Sequence, residues 1–360
     1  MRRSVLIRTD TACVIPRMLS SRNTLLALLW ISAIACTNEM DTVATAAVAR
    51  GTGAGDWVAG NYPSDLRGST YLELEGIAGQ NGMPREYKVH VPPSYVPNTP
   101  MPLVFCIHGL GQQPETLCLT GTAMDQLADR AGFILVLPRG FSTSWNGGAC
   151  CGPARDANLD DVAFFRAMLA DIGKHLNVDL DRVFATGLSN GAYMSYRLAC
   201  EAADLFAGVV PGAGALGVNE LVDDALMGTG LFSASSNFER CAPSRPVSIL
   251  ATHGTSDFVV PIALQAKSLA NTAAAFGCSA TTKPATAPKS GGDTTCTTYE
   301  GCPGDIEVTG CAVAQGGHCW FGSPDCGIGL GVSGAQAAGN NSNTLDNSAA
   351  LLEFIRAHHK

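Results

Sequence analysis

The sequence predicts an α/β fold in which a mostly parallel, doubly wound sheet carries helices on both faces. Short continuous apolar runs alternate along the chain with segments of helical spacing, as expected of strands buried on both faces. The composition is 46% hydrophobic and 15% charged with 40 glycines, which suits a large core and many tight turns. We therefore expect one domain with its functional residues at the carboxyl ends of the strands.

Two segments precede the predicted domain. Residues 1–36 combine a basic start with an apolar stretch too short to span a bilayer, as in a signal peptide. They end in Ala-Ile-Ala-Cys36, which resembles a bacterial lipoprotein signal whose cysteine is lipidated, although Ala33 stands where leucine is usual. Free secretion after another small residue is the alternative. Residues 37–56 are small and weakly patterned, like a flexible tether, and the main domain is predicted at residues 57–360.

The elements of this domain follow from local patterns. Apolar or alternating runs predict strands at residues 87–92, 102–107, 133–137, 182–186, 206–210 and 247–251. Helical spacing predicts helices at residues 123–131, from 160 to about 175, after residue 191, and at 264–276. Residues 279–300 are rich in Thr, Pro, Ser and Gly and are predicted to be an exposed loop. We find no internal repeat and no second core.

The net charge bears on the partners. The formal net charge is −8, and the main body of the chain has no basic run. A nucleic-acid partner would need such a run to bind phosphates. We therefore predict no nucleic-acid partner, and contact with a membrane only through a lipid anchor at Cys36.

Cysteine usage predicts disulfides. The chain has fourteen cysteines, and twelve remain when Cys13 and Cys36 are set aside. An even number in an exported chain favours disulfides. A metal site would need paired Cys-x-x-Cys spacing with nearby histidines, and the sequence has no such pair. We expect the adjacent Cys150 and Cys151 to bond to different partners. Six cysteines are expected to pin loops in the last third: Cys278, Cys296, Cys302, Cys311, Cys319 and Cys326.

The chemistry is predicted at residues 187–191, Gly-Leu-Ser-Asn-Gly, between an apolar run and a helical pattern. A Gly-x-Ser-x-Gly turn in this setting is typical of a nucleophile elbow, which exposes the serine at a helix N-terminus. Ser189 is then the nucleophile. A glycine-flanked turn with a capping serine is the alternative.

A serine nucleophile needs a base and an acid that orients it. In hydrolases with this elbow, the order along the chain is serine, acid, histidine. His318 lies in a glycine-flanked loop late in the chain, whereas the other six histidines lie in a strand, on a helix, in the tail or at earlier turns. Asp257 follows the apolar run that ends at residue 251, while Asp223 and Asp224 lack a clear preceding strand. Ser189, Asp257 and His318 are the predicted catalytic residues.

The oxyanion of such a reaction needs two backbone donors. The N–H of Asn190 directly follows the nucleophile. The second donor is predicted from the loop after an early strand, residues 108–112, where the N–H of Leu110 lies between two glycines. A simple tight turn is the alternative for this loop.

These motifs together resemble the extracellular esterases of the polyhydroxybutyrate depolymerase group, which also contains feruloyl and acetyl xylan esterases. The resemblance runs from about residue 87 to 354 and covers residues 108–112, 144–152, 160–162, 187–192, 253–261 and 317–320, in the family's order. It implies an α/β-hydrolase fold and a Ser189, Asp257, His318 triad. The chain departs from the family at Phe321, where proline is usual, and in a longer segment at residues 214–240.

Three residues are candidates for substrate contacts. Trp145 and Trp320 could form an aromatic wall for an acyl chain or an aromatic acid, and Asn146 could add a polar contact. Packing is the alternative for the tryptophans, and a turn is the alternative for Asn146.

The leading functional prediction is an exported serine esterase of the polyhydroxybutyrate depolymerase kind that acts through an acyl-enzyme, without cofactor or metal. We expect a monomer that acts on a soluble or polymeric ester, located on the outer membrane as a lipoprotein or secreted. A feruloyl or acetyl xylan esterase is the first alternative. A peptidase of the same fold would usually need an extra recognition domain, for which the chain has no room, and an inactive binding protein is the alternative outside enzymes.

Overall fold

A computed structural model describes residues 72–78, 84–218, 238–324 and 340–360. The signal, Cys36 and the tether lie outside the described residues, as do Asp223, Asp224 and Cys326, so the predictions for them remain predictions. The described elements belong to one compact unit, residues 46–360. No helix among the described residues is both long and apolar enough to cross a membrane.

The strands and helices of the described residues alternate through the middle of the chain. The strands are β1 (Leu72–Ala78), β2 (Pro84–His90), β3 (Met101–Ile107), β4 (Ile134–Pro138), β5 (Val178–Leu188), β6 (Gly208–Gly212), β7 (Ser248–Gly254), β8 (Thr282–Pro284), β9 (Thr294–Tyr299) and β10 (Val308–Val313). The helices are α1 (Met124–Ala131), α2 (Pro153–Asp156), α3 (Asp161–His175), α4 (Asn190–Glu201), α5 (Ile262–Ala275) and α6 (Asn347–Ala357), with a π-helical turn at Thr116–Gly121.

All ten strands form one sheet in the order β1-β2-β4-β3-β5-β6-β7-β10-β9-β8. The six central strands, from β4 to β10 in this order, are parallel. The outer strands β1, β2, β9 and β8 are antiparallel to their neighbours. This is the α/β-hydrolase fold, and it confirms the predicted mostly parallel, doubly wound sheet.

Each face of the sheet is covered by its own helices, because the central strands alternate apolar side chains between two cores. Phe105 of β3 packs in one core with residues of α3, α4 and α5. Val104, its neighbour on the same strand, packs in the other core with residues of α1 and α6. The strands between them, such as β3, β4 and β7, are buried over nearly their whole length.

The loop prediction for residues 279–300 is wrong, because β8 and β9 lie within this segment. Threonine is β-branched and favours strands. In β9, Thr294, Cys296 and Thr298 point to the buried side and alternate with exposed residues. The strand β9 pairs with β10, and a disulfide joins Cys296 to Cys311 across the pair.

Five disulfides join cysteines in the described residues: Cys106–Cys118, Cys150–Cys151, Cys200–Cys241, Cys278–Cys302 and Cys296–Cys311. They confirm the expectation of a disulfide-stabilised domain. The expectation for Cys150 and Cys151 is wrong, since these neighbours bond to each other. Both residues lie in a small buried cluster whose other described members, Tyr193, Ala215, Val260 and Leu264, include no further cysteine.

Candidate active site

The turn between β5 and α4 holds Ser189 in an uncommon backbone conformation. Its φ is 58° and its ψ is −121°, a strained combination for a residue with a side chain. The N–H of Ser189 donates to the carbonyl of Gly212 (3.0 Å). Glycine is required at Gly187 and Gly191, because a Cβ at either position would collide with the carbonyl oxygen of Ile107. The turn therefore has the geometry of a nucleophile elbow, with Ser189 partly exposed.

Asp257 and His318 form a buried hydrogen-bonded pair. The Nδ1 atom of His318 lies 2.7 Å from Oδ2 of Asp257, and neither side chain is exposed. The other carboxylate oxygen, Oδ1, accepts the backbone N–H groups of Val259 and Val260, both at 2.9 Å. These bonds anchor Oδ1 of the carboxylate.

The charge state of Asp257 follows from its surroundings. Burial raises the pKa of this carboxyl group, but the hydrogen bonds from His253 and His318 outweigh burial and hold its pKa well below the usual range. Asp257 is therefore an anion, and its Oδ2 accepts a hydrogen bond from the Nδ1–H of His318. The Nε2 atom of His318 is buried and has no hydrogen-bond partner among the described residues, so its lone pair is available to a hydroxyl group.

The sheet order brings the three predicted catalytic residues to one edge. Ser189 follows β5, Asp257 follows β7 and His318 follows β10, all in the parallel part of the sheet where only β6 separates β5 from β7. The carboxyl ends of parallel strands meet at one edge. Ser189, Asp257 and His318 thus come from three strand ends on the same side of the sheet.

The loop after β3 is held by its own side chains and by residues of the loop after β4. His108 is fully buried, with Nδ1 at 2.8 Å from the carbonyl of Gly109, and its Nε2 accepts the N–H of Gly140 (3.0 Å). The N–H of Gly109 donates to Oε1 of Gln112 (2.6 Å). Trp145 donates its indole N–H to the carbonyl of His108 (3.0 Å). The loop backbone is thereby fixed from both sides.

The two predicted oxyanion donors are not used elsewhere. Among the described residues, the backbone N–H groups of Leu110 and Asn190 make no hydrogen bond to the protein. The Asn190 N–H lies in the first turn of α4, where such groups carry the positive end of the helix dipole. The Asn190 side chain accepts a hydrogen bond from the backbone N–H of Trp145 (2.7 Å) and donates one to its carbonyl (3.0 Å). These bonds connect the elbow to the loop that contains Trp145.

The three predicted substrate contacts are corrected by the structure. Trp145 is completely buried against His108 and Phe165, and Trp320 is 1% exposed with its indole N–H donated to Ser348. Asn146 is also 1% exposed, and its side-chain amide donates to the carbonyl of residue 159 (2.9 Å). All three side chains are used for packing or internal hydrogen bonds.

Sequence reasoning missed two groups near these residues. The sequence predicts a turn at His253, but its Nε2 lies 3.2 Å from Oδ2 of Asp257. Its position at the end of β7, four residues before Asp257, is the signal that could have found it. The linked pair Cys150–Cys151 was also missed: the Asn190 amide lies 3.5 Å from Sγ of Cys151.

No cofactor or metal is assigned to the site. Within the described ranges, no group of three or more His, Cys, Asp or Glu side chains is arranged to hold a metal ion. The available chemistry is that of the elbow, the Asp257–His318 pair and the free backbone donors.

A family model and a solved structure match parts of this chain. The model of the Prolyl oligopeptidase family matches residues 140–276, which include Ser189 and Asp257 but end before His318. This match covers less than half of the chain. The acetyl xylan esterase from Aspergillus awamori, a solved structure, aligns with a TM-score of 0.49 and 18% identity over 69% of this chain and 94% of that one.

Several curated relatives are feruloyl esterases of fungi. Feruloyl esterase D of Neurospora crassa is 28% identical over 79% of this chain and 85% of its own length. Feruloyl esterase C of Emericella nidulans is 29% identical over 73% of this chain and 84% of its own length. Feruloyl esterase B of Piromyces equi is 31% identical over 49% of this chain, which spans only 31% of that protein.

Proposed function

We propose that this protein hydrolyses esters of hydroxycinnamic or acetic acid on plant polysaccharides, through an acyl-enzyme formed on Ser189. The chain is a serine carboxylic ester hydrolase: the feruloyl esterases of Neurospora crassa and Emericella nidulans match it over most of their length, and the fold is that of the α/β-hydrolases.

One observation carries the catalytic roles. The buried Asp257–His318 pair leaves Nε2 of His318 without a protein partner, at the sheet edge that also bears the strained Ser189. This supports Ser189 as nucleophile, His318 as base and Asp257 as the group that orients His318. The unused N–H groups of Leu110 and Asn190 support the oxyanion site.

The proposed reaction has two halves. The Ser189 Oγ attacks the ester carbonyl while its proton passes to Nε2 of His318, and the negative oxygen is stabilised by the two backbone N–H groups. The bond to the alcohol then breaks as His318 returns the proton to the leaving oxygen. Water, deprotonated by His318, attacks the acyl-enzyme and releases the acid and Ser189.

The relatives favour the feruloyl and acetyl xylan alternative over the polyhydroxybutyrate depolymerase prediction. The relatives described above are feruloyl esterases, and none of them is a polyester depolymerase. The polyester remains an untested substrate. The proposed residues all come from one copy of the chain, so the mechanism needs no second subunit.

We also propose that the protein works outside the cytoplasm. Disulfides persist in oxidising compartments, and five join cysteines among the described residues. Anchoring at Cys36 or free secretion are the two ways in which the exported domain would be placed.

A substrate panel tests the proposal. Methyl ferulate, acetylated xylan, polyhydroxybutyrate film and a prolyl p-nitroanilide peptide are offered to the wild type, to Ser189→Ala and to the exposed-serine control Ser94→Ala. We expect hydrolysis of the ferulate or the acetyl ester by wild type and control. Ser189→Ala, His318→Ala and Asp257→Asn should lose about three to six orders of magnitude in kcat, with Asp257→Asn losing least.

Three outcomes would contradict parts of the proposal. Turnover only of the prolyl peptide would favour the peptidase alternative, which the family match at residues 140–276 supports. Turnover only of the polyester film would restore the first sequence prediction. Full activity of Ser189→Ala on every substrate would overturn the mechanism.

A further inference from the structure

We propose that His253 is a positioning residue that holds Asp257 in the orientation required by His318. The proposal rests on the catalytic roles proposed above. His253 lies in β7 and is completely buried. It touches neither Ser189 nor a substrate site in our scheme, so its influence on the reaction passes through Asp257.

His253 contacts two residues of the turn that follows β7, and one of them is Asp257. The Nε2 atom of His253 lies 2.7 Å from the carbonyl oxygen of Val260 and 3.2 Å from Oδ2 of Asp257. Val260 in turn donates its N–H to Oδ1 of Asp257 (2.9 Å). The imidazole thus joins the end of β7 to the far end of the turn and to the carboxylate between them.

The contacts also determine the tautomer of His253. Both partners of Nε2 are acceptors, so Nε2 carries a proton that is shared between them. The Nδ1 atom is buried and has no hydrogen-bond partner among the described residues. A second proton at Nδ1 would be a buried donor without an acceptor, so the neutral ring with the proton at Nε2 fits the site.

Two imidazole N–H groups therefore meet at one carboxylate oxygen. His318 approaches Oδ2 of Asp257 at 2.7 Å and His253 approaches it at 3.2 Å. The backbone N–H groups bind only Oδ1. The carboxylate can therefore still change its orientation, and this would move Oδ2 away from His318. The N–H of His253 opposes this change and keeps Oδ2 directed at His318.

A positioning role predicts a particular pattern of kinetic losses. His253→Leu fills similar space but has no donor, and we expect kcat to fall about 10- to 100-fold with KM changed by less than about twofold, because geometry around the base is lost while the substrate site is intact. His253→Gln can place an amide N–H near the position of Nε2, and it should retain kcat within about fivefold of the wild type.

A double-mutant cycle distinguishes this role from simple stabilisation of the fold. In the Asp257→Asn background, the orientation of the acid no longer matters, so His253→Leu should lower kcat by less than about threefold further. A purely structural role predicts the same loss in both backgrounds. Equal losses in both backgrounds, or equal losses for His253→Leu and His253→Gln, would overturn the proposal.

His90 provides a matched control. It also contacts a carboxylate, with Nε2 at 2.6 Å from Oδ1 of Asp129, but it lies on β2 away from the strand ends that carry the site. His90→Leu should leave kcat unchanged. Where His253→Leu fails to fold, His253→Asn takes its place, because its shorter amide cannot reach Asp257 and should lose as much activity as the leucine variant.

The result also separates this proposal from the proposed function. An inactive Ser189→Ala together with a fully active His253→Leu would overturn only the positioning role. An active Ser189→Ala would overturn the proposed mechanism, whatever His253→Leu does.

Discussion

Acidification should destabilise the fold through His108, the residue that begins the loop after β3. Burial lowers the pKa of His108 to about 4 from its usual 6.5, against the smaller raising effects of its bond to Gly109 and the charge of Glu115. The folded protein thus favours the neutral ring. Protonation would place a proton on Nε2 against the N–H of Gly140, which donates to that atom.

The lowered pKa of His108 makes the stability of the fold depend on pH. Because the folded pKa lies below the unfolded one, the contribution of His108 to stability is complete above about pH 6.5 and is lost as the pH falls towards 4. At pH 4.5 the unfolded imidazole is almost fully protonated and the folded one mostly neutral. The expected loss between pH 8 and pH 4.5 is about 2–3 kcal/mol from this residue alone.

The variant His108→Gln isolates this effect. Glutamine has an acceptor oxygen that can receive the Gly140 N–H, but it does not titrate. Urea unfolding of wild type and variant at pH 8 and pH 4.5 gives four free energies of unfolding, and all other titrating groups cancel in the comparison. We expect the wild type to lose about 2–3 kcal/mol more than the variant. Equal losses within about 0.5 kcal/mol would refute the assignment.

Two further predictions concern the cysteines. Reductant should lower the melting temperature, since each lost disulfide typically costs about 2–5 kcal/mol; thiol titration of denatured, exported protein checks this, and mostly free thiols would contradict the disulfides. If Cys36 is lipidated, the wild type should remain with membranes in high salt and be released by detergent, whereas Cys36→Ser should not mature normally. Equal amounts of both proteins in the medium would exclude the anchor and leave the esterase proposal unchanged.

The strand pattern and the elbow could be predicted because they depend on local sequence. An apolar run followed by a glycine-flanked turn specifies a strand end, and Ser189, Asp257 and His318 each follow such a run or lie in such a loop. The order along the chain then limits the choice of partners. The geometry observed for Asp257 and His318 needs no information beyond these local signals and the parallel sheet.

The surroundings of the site could not be predicted in the same way. The residues beside a tryptophan do not determine whether its side chain is exposed or buried when those neighbours are glycines. The side chains of Trp145 and Trp320 are both buried. The strands β8 and β9 are short and threonine-rich, so their composition resembles that of a loop until β10 provides a partner. His253 was missed because its role depends on the folding back of the turn at Val260.

The added strands at the far end of the sheet protect the strand that leads to His318. Without β9, the hydrogen-bonding groups of β10 would form an open edge, which other unfolded chains could join. The sheet instead ends at the three-residue β8, whose side chains are exposed and include Lys283 and Pro284. A charged side chain and a residue without an N–H both discourage further pairing. These features oppose edge-to-edge aggregation at the end of the sheet nearest His318.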